Sequence, residues 1–295
     1  MFSGSFVAIV TPMRPDGSID YDAWSRLIDL HLASGTRGII VAGTTGESPS
    51  VDDGEVAELV ARAKRQIAGR MVLMAGAGQN STAATVARAS AMSALGVDAL
   101  LVVTPAYNKP TQEGLYLHYA AVAAASSVPV MLYNVPGRTA VDLSPDTVAR
   151  LASVPRIAAI KEAVADLARV RELLAKAPGI DVLSGDDATA REAVLAGAKG
   201  VVSVTANVAP RPMAEMIAAA LAGDATRAAA IDATLTALHK DLFVESNPIP
   251  VKWALAQMGL IGEGIRLPLT PLSSACHAKV RAALAQAGIA VGAGG

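Results

Sequence analysis

The sequence has little cysteine, few aromatic residues and no spaced set of metal ligands. Among its 295 residues there is one cysteine, Cys276, and aromatic residues make up 3%. A single cysteine excludes an internal disulfide framework and a cysteine-rich metal site, and it favours a reducing compartment, which we expect to be the cytoplasm. The 4 histidines are scattered without the spacing of metal ligands. We therefore expect neither a metal centre nor a cofactor.

Charge and hydropathy exclude two further classes of protein. The formal net charge is -1, 17% of the residues are charged, and no basic cluster is present. This balance argues against nucleic acid or an anionic membrane surface as a main partner. No apolar run approaches transmembrane length, and the first run, FVAIV at 6–10, lacks the basic start and the long apolar core of a signal peptide.

Eight short apolar runs dominate the first two thirds of the chain: FVAIVTP, GIIVAGTT, MVLMAGAG, ALLVVTP, VPVMLYN, RIAAIKE, DVLSG and GVVSVTAN. Apolar residues at successive positions predict strands that are buried on both faces. Helical stretches lie between them, with start signals at Asp20, Asp52, Ser81 or Thr82, and Ser144-Pro145.

This alternation of strand and helix predicts parallel strands joined by right-handed crossovers. Eight repeats predict an α/β fold of the closed (β/α)8 TIM barrel type. A doubly wound sheet is the alternative, but no glycine fingerprint follows the first strand.

Strand patterns cease near Leu221, and the segments beyond it are helical and separated by loops rich in proline and glycine. We predict a barrel catalytic domain over 1–223 and a small C-terminal α-helical domain over 224–295. The closing VGAGG, at 291–295, is typical of a frayed chain end.

Polar residues follow several of the predicted strands, where a barrel of this type carries its functional groups. They are Thr44 and Thr45 after the second strand, Tyr107 after the fourth, Tyr133 and Arg138 after the fifth, Lys161 at the end of the sixth, and Gly185, Asp186 and Asp187 after the seventh. Because the carboxyl ends of all eight strands meet at one face, we expect these residues to converge on a single mouth.

Lys161 allows two interpretations from the residues alone. It forms an ion pair with Glu162 or Glu47, or it is a nucleophile that forms a Schiff base with a ketone substrate. An amine must be neutral to attack a ketone, and burial disfavours the charged form of a lysine. The phenol of Tyr133 would then move the protons that amine addition and dehydration require.

Arg138 and the Thr44-Thr45 pair also have two interpretations each. Arg138, in YNVPGRT, is a surface arginine or a bidentate partner for a substrate carboxylate. The threonines, in AGTTGES, form a strand end and a turn, or they bind a carboxylate. Gly43 and Gly46 would let backbone N–H groups approach such a carboxylate closely.

Seven motifs together resemble one known family across essentially the whole chain. They are GTTGES at 43–48, TPAYNKPTQEGLY at 104–116, YNVPGRT at 133–139, IKEA at 160–163, LSGDD at 183–187, GVVSVTANV at 200–208 and NPIPVKWA at 247–254. The sequence thereby resembles the dihydrodipicolinate synthases, within the class I pyruvate-dependent lyase and aldolase superfamily. The resemblance implies a lyase of the diaminopimelate route to lysine, which condenses pyruvate with L-aspartate-4-semialdehyde and works as a homotetramer of two dimers.

The resemblance also implies a role for each residue at the mouth. Lys161 forms the Schiff base, and the proton relay consists of Tyr133, Thr44 and Tyr107, with Tyr107 presented across a subunit interface. The residues that bind the substrates are Thr45, Gly185 and Val202 for pyruvate and Arg138 for the carboxylate of the second substrate.

Three alternatives to this synthase remain. N-acetylneuraminate lyases and 2-keto-3-deoxy sugar acid aldolases share the lysine and the tyrosine, but they resemble this sequence less at YNVPGRT and at the threonine pair. A metal-dependent aldolase would need histidine or carboxylate ligands at the mouth, which the scattered histidines do not supply. A barrel kept as a binding scaffold would not need the full catalytic set.

The family's binding site for the effector lysine is incomplete in this sequence. The resemblance aligns it with Ser48, Pro49, Asp53, Val56, Asn80, Ala84 and Ala106. Ser48 and Asn80 fit the family pattern, whereas Val56 and Ala84 are apolar where inhibited members carry polar or acidic groups, and Ala106 replaces an aromatic residue.

We expect weak or absent inhibition by lysine, because an ammonium bound there would lose its charge partner. Initial rates measured with millimolar lysine test this expectation. Half-inhibition well below the millimolar range would contradict it.

Overall fold

The computed structural model describes residues 2–291, and within them eight parallel strands pair in chain order and close into a barrel. The predicted (β/α)8 barrel is therefore confirmed. The strands are β1 (Gly4–Ala8), β2 (Gly38–Val41), β3 (Val72–Gly76), β4 (Ala99–Val103), β5 (Val130–Asn134), β6 (Ile157–Glu162), β7 (Asp181–Ser184) and β8 (Gly200–Ser203).

Helices follow each strand and continue after the last one. Those of the barrel part are α1 (Tyr21–Ala33), α2 (Asp53–Ile67), α3 (Thr82–Ala94), α4 (Gln112–Ala125), α5 (Pro136–Thr139), α6 (Pro145–Leu151), α7 (Leu167–Lys176), α8 (Ala190–Leu195) and α9 (Pro210–Leu221). A 3₁₀ turn, Thr205–Asn207, follows β8. The last three helices in residues 2–291 are α10 (Ala225–Asp241), α11 (Ile249–Gln257) and α12 (Ser274–Gln286). No helix in these residues is long and apolar enough to cross a membrane.

The predicted helix starts are confirmed by side-chain caps. Asp20 accepts hydrogen bonds from two backbone amides of α1, and Ser81 accepts one from α3. Asp52 caps α2 and forms a reciprocal capping box with Glu55. Ser144 caps α6, whose first residue is a proline. These caps satisfy amides that a helix start leaves without a partner.

Two apolar clusters hold the barrel together. The larger one fills the layer between the strands and the surrounding helices. The smaller one fills the barrel interior and consists of Phe2, Phe6, Ala8, Ile40, Val72, Met74, Ala99, Leu101, Met131, Tyr133, Ala159, Leu183 and Val202. A filled interior leaves only the carboxyl ends of the strands open for chemistry.

Of the C-terminal helices, α10 packs against the barrel's last helix, α9, and α12 packs against the α10 helix. α9 ends at Leu221 and α10 begins at Ala225, so the division at 223/224 falls in the connecting turn, and its status as a domain boundary stays a prediction. In the predicted frayed end, 291–295, the last four residues lie outside the described residues.

Candidate active site

The register between β5 and β6 sets Tyr133 directly beside Lys161. Met131 and Tyr133 both belong to the interior cluster, as does Ala159, two positions before Lys161. Because side chains alternate along a strand, Lys161 lies on the same interior face. The two side chains are in contact: the lysine Nζ atom is 4.2 Å from the centroid of the tyrosine ring.

Both residues lie within strands, which corrects two details of the sequence prediction. Tyr133 is the fourth of five residues of β5 rather than a residue after it, and β6 continues one position beyond Lys161 to Glu162. Lys161 is 4% exposed and Tyr133 is 5% exposed. The amine is thus mounted on a rigid element, at the open end of a packed interior.

Glu162 is not the partner of Lys161. Its buried carboxylate accepts hydrogen bonds from the Asn134 amide, the Val164 backbone N–H and the Arg169 guanidinium. Burial raises the pKa of Glu162, and these donors act against that effect.

Glu47 is not the partner of Lys161 either. Its side chain is 0% exposed and forms an ion pair with Lys252, which is 4% exposed. The backbone N–H of Arg266 donates to the second carboxylate oxygen at 3.2 Å. Burial lowers the pKa of Lys252, and the carboxylate partner opposes that shift. Because both glutamates are committed elsewhere and no ion pair of Lys161 occurs in residues 2–291, the ion-pair interpretation was wrong.

Gly185 gives the Lys161 side chain the space it needs. A Cβ atom at position 185 would lie 2.9 Å from the lysine Cε and 2.8 Å from the Cβ of Ala163, which is too close for real contacts. The backbone N–H of Gly185 donates to the carbonyl of Glu162 at 2.6 Å. The absence of a side chain at Gly185 thus leaves room for the side chain of Lys161. The backbone N–H of Gly185 is already bonded within the protein.

The other two residues predicted to bind pyruvate, Val202 and Thr45, are both buried. Val202 lies on β8, is 1% exposed and belongs to the interior cluster. Thr45 is also 1% exposed, and its Oγ1 atom accepts a hydrogen bond of 3.0 Å from the Asn247 side chain. Thr44 is more accessible than its neighbour.

Two cavities connect the predicted residues across the mouth. One of about 30 Å³ is lined by Thr44 and Tyr133, together with Ser48 and Arg88. A second of about 320 Å³ is lined by Thr44 and Arg138, with other residues that include Ser48 and Asn80. Thr44 lines both, so it lies between the interior lysine–tyrosine pair and the outer arginine.

Arg138 lies in the short helix α5, just after β5, and its guanidinium is exposed at the mouth. Its Nη2 atom donates to the backbone carbonyl of Asn247 at 3.2 Å. Arg138 also lines the larger cavity, and a guanidinium at such a position is suited to a carboxylate.

Tyr107 is the one predicted catalytic residue that the chain does not enclose. Its side chain is 91% exposed, and its backbone has a φ of 72°, in the left-handed region. A bulky residue rarely adopts this conformation, which costs of order 1–3 kcal/mol. The loop therefore presents an aromatic ring to the outside of the molecule.

Four of the seven positions aligned with the effector site, Ser48, Pro49, Asn80 and Ala106, line the larger cavity together. Val56 is 0% exposed and belongs to the core between strands and helices, so it does not contact an effector in this conformation. Ser48 lies at the mouth, and the side-chain oxygen of Asn80 accepts a hydrogen bond from the backbone N–H of Ala106. Ala84 is exposed on α3 and offers no charge.

Comparisons with known proteins agree with the fold. The family model of the dihydrodipicolinate synthetase family matches residues 1–287. The chain belongs to this family.

Relatives and solved structures match it over nearly their full lengths. The 4-hydroxy-tetrahydrodipicolinate synthase of Methylococcus capsulatus is 55% identical, covering 98% of this chain and 100% of the relative. That of Pseudomonas aeruginosa is 53% identical over 98% of this chain and 99% of its own length. The dihydrodipicolinate synthase of Acinetobacter baumannii, solved in complex with pyruvate, is 49% identical, with a TM-score of 0.97 and coverage of 98% and 100%.

Several residues of this synthetase-family site were not predicted from the sequence. Asn247, Lys252 and Arg266 come from the C-terminal part of the chain, and they hold the segment that carries Thr44 and Thr45. The motif NPIPVKWA contains two of them, and the apolar context of its lysine was the available signal. Asp187, one of the polar residues that follow the seventh strand, accepts hydrogen bonds from the backbone N–H groups of Val204 and Thr205 at the 3₁₀ turn.

Because Glu47 and Lys252 form a buried pair, we expect that removing one charge lowers the free energy of unfolding more than removing both. Lys252→Met should lower the free energy of unfolding by about 3–5 kcal/mol, because it leaves a buried carboxylate without its cation. Adding Glu47→Gln should recover most of the loss. Denaturant unfolding of the wild type, the single variant and the double variant measures these free energies.

Lys176→Met is a matched control, since Lys176 pairs with Asp146 and Glu172 on the exposed surface of the barrel. It should change stability little. A Lys252→Met protein as stable as this control would contradict the account of the buried pair.

Proposed function

We propose that this protein is a 4-hydroxy-tetrahydrodipicolinate synthase that condenses pyruvate with L-aspartate-4-semialdehyde. The observation that supports it most is Lys161, a buried lysine without an ion pair in residues 2–291, in contact with Tyr133 at the open end of the barrel. Full-length relatives at 53–55% identity carry this name.

In the proposed mechanism the neutral Lys161 amine attacks the ketone carbon of pyruvate. Loss of water from the adduct leaves an iminium ion, which withdraws electrons from the adjacent methyl group. Loss of a methyl proton gives an enamine, whose carbon attacks the aldehyde of the second substrate. The amino group of that substrate then attacks the iminium carbon, closes the ring and releases the lysine.

Proton transfer in these steps is assigned to Tyr133, Thr44 and Tyr107. Thr44 and Tyr133 line one small cavity, which supports a relay between their hydroxyl groups. Tyr107 would complete the relay from a neighbouring subunit, and its exposed ring supports such an exchange. We therefore propose a homotetramer of two dimers, and the single cysteine supports a cytoplasmic location.

Substrate binding is assigned to the residues around the amine. The Thr45 hydroxyl would donate to the pyruvate carboxylate, while Val202 and Gly185 shape the wall against which pyruvate lies. Arg138 would bind the carboxylate of the semialdehyde, because a guanidinium matches a carboxylate in shape and charge. Its exposed position at the larger cavity suits the later arrival of a second substrate.

An assay of purified protein tests the function. Pyruvate with aspartate-4-semialdehyde should give turnover, whereas pyruvate with N-acetylmannosamine should give little. Lys161→Ala should reduce turnover by roughly 10³-fold or more with an unchanged melting temperature. A preference for N-acetylmannosamine would contradict the proposed second substrate and favour a sialic acid lyase.

Arg138→Ala should lower kcat/KM for the semialdehyde about 10–100-fold, because hydrogen bonds to a charged group are worth about 1.5–3 kcal/mol. The KM for pyruvate should change little. Arg171→Ala, which removes an exposed arginine on α7, should leave both constants unchanged. A selective rise in the pyruvate KM of Arg138→Ala would refute its assignment.

A further inference from the structure

Asn247 contacts both side chains that the proposed function assigns to substrate carboxylates. It lies in the loop between α10 and α11 and is 6% exposed. Its side-chain Nδ2 atom donates to Thr45 Oγ1 at 3.0 Å, and its backbone carbonyl accepts from Arg138 Nη2 at 3.2 Å. A residue from the C-terminal part thus joins the two halves of the site.

The direction of the first hydrogen bond determines what the threonine can do. A hydroxyl group has one hydrogen to donate and two lone pairs that accept. Because the Asn247 amide occupies a lone pair of Thr45, the hydroxyl hydrogen stays free to donate. The structure records no other partner of this oxygen in residues 2–291. A carboxylate accepts hydrogen bonds only, so a hydroxyl held in this way is suited to it.

We propose that Asn247 is a positioning residue for the condensation, which orients the Thr45 hydroxyl as a donor to the pyruvate carboxylate. This inference rests on the proposed function. In the proposed reaction Asn247 contacts no reacting atom, and its effect is exerted through Thr45.

Backbone hydrogen bonds hold the end of the loop that carries Asn247. The backbone N–H of Ile249 donates to the carbonyl of Ser246 at 2.9 Å, and the N–H of Lys252 donates to that of Pro248 at 3.0 Å. The Lys252 ammonium then pairs with Glu47, two residues after Thr45. The loop and the threonine segment are therefore joined twice, by this ion pair and by the amide.

Stability alone does not account for the amide orientation. The Asn247 Oδ1 atom is buried and has no hydrogen-bond partner in residues 2–291. An unsatisfied buried acceptor is costly, so the arrangement is poor as a purely structural contact. Rotating the amide by half a turn would place Oδ1 at Thr45 and consume the hydroxyl hydrogen. The two orientations make opposite predictions about pyruvate binding.

Steady-state kinetics of Asn247→Ala distinguish these orientations. The proposal predicts a pyruvate KM raised about tenfold, because a hydroxyl without its amide loses the orientation that suits a charged acceptor. The reversed orientation predicts a pyruvate KM that falls or stays the same, since the substitution would free the hydroxyl hydrogen. The KM for the semialdehyde should stay within about twofold, because Arg138 bonds a backbone carbonyl that every substitution retains.

A double-mutant cycle separates action through Thr45 from a general loss of packing. In a Thr45→Val background, Asn247→Ala should leave the pyruvate KM unchanged within about twofold. An equal tenfold rise in that background would overturn the proposal, as would an unaltered pyruvate KM in the single variant. Ser246→Ala, in the same loop, is the matched control and should behave as wild type.

Thermal unfolding of each variant accompanies the kinetics. If Asn247→Ala does not fold, Asn247→Ser provides a shorter side chain, and the same rise in the pyruvate KM is expected. Wild-type protein that does not turn over pyruvate and semialdehyde would refute the proposed function. Active wild type with the wrong response of Asn247→Ala would refute the positioning role alone.

Discussion

The parallel pairing of β5 with β6 is the constraint on which the rest of the site depends, because it sets Tyr133 opposite Lys161. A slip of one residue would turn either side chain out of the barrel interior. Closure of the barrel prevents such a slip, since β8 pairs with β1 and leaves no free edge. The lysine amine is thus held beside a phenol by the backbone hydrogen bonds of the fold.

A second constraint keeps the surroundings of this amine free of a competing carboxylate. Glu162 is bound by Asn134 and Arg169, and Glu47 is bound by Lys252. Each acidic neighbour in the sequence therefore has its own donors. The C-terminal helices supply one of them, which gives this part of the chain a direct role at the mouth of the barrel.

Local sequence patterns predicted the fold, but they could not predict which residues distant in the chain form pairs. Successive apolar residues and capping residues such as Asp52 predicted strands and helix starts, because both signals act within a few positions. The partner of Glu47 lies 205 positions away, and no local rule identifies it. The function of Gly185 as space for Lys161 likewise needed the strand register. The ends of the predicted strands located residues such as Lys161 and Arg138, whereas their roles were implied by the family resemblance and stay predictions.

The central claim is that Lys161 is the nucleophile, and reductive trapping tests it most directly. The protein is incubated with pyruvate and borohydride, and peptide mapping by mass spectrometry locates the added group. The account predicts a reduced pyruvyl adduct on the peptide that contains Lys161. An adduct on Lys252, the other buried lysine in this region, or the absence of any adduct, would contradict it.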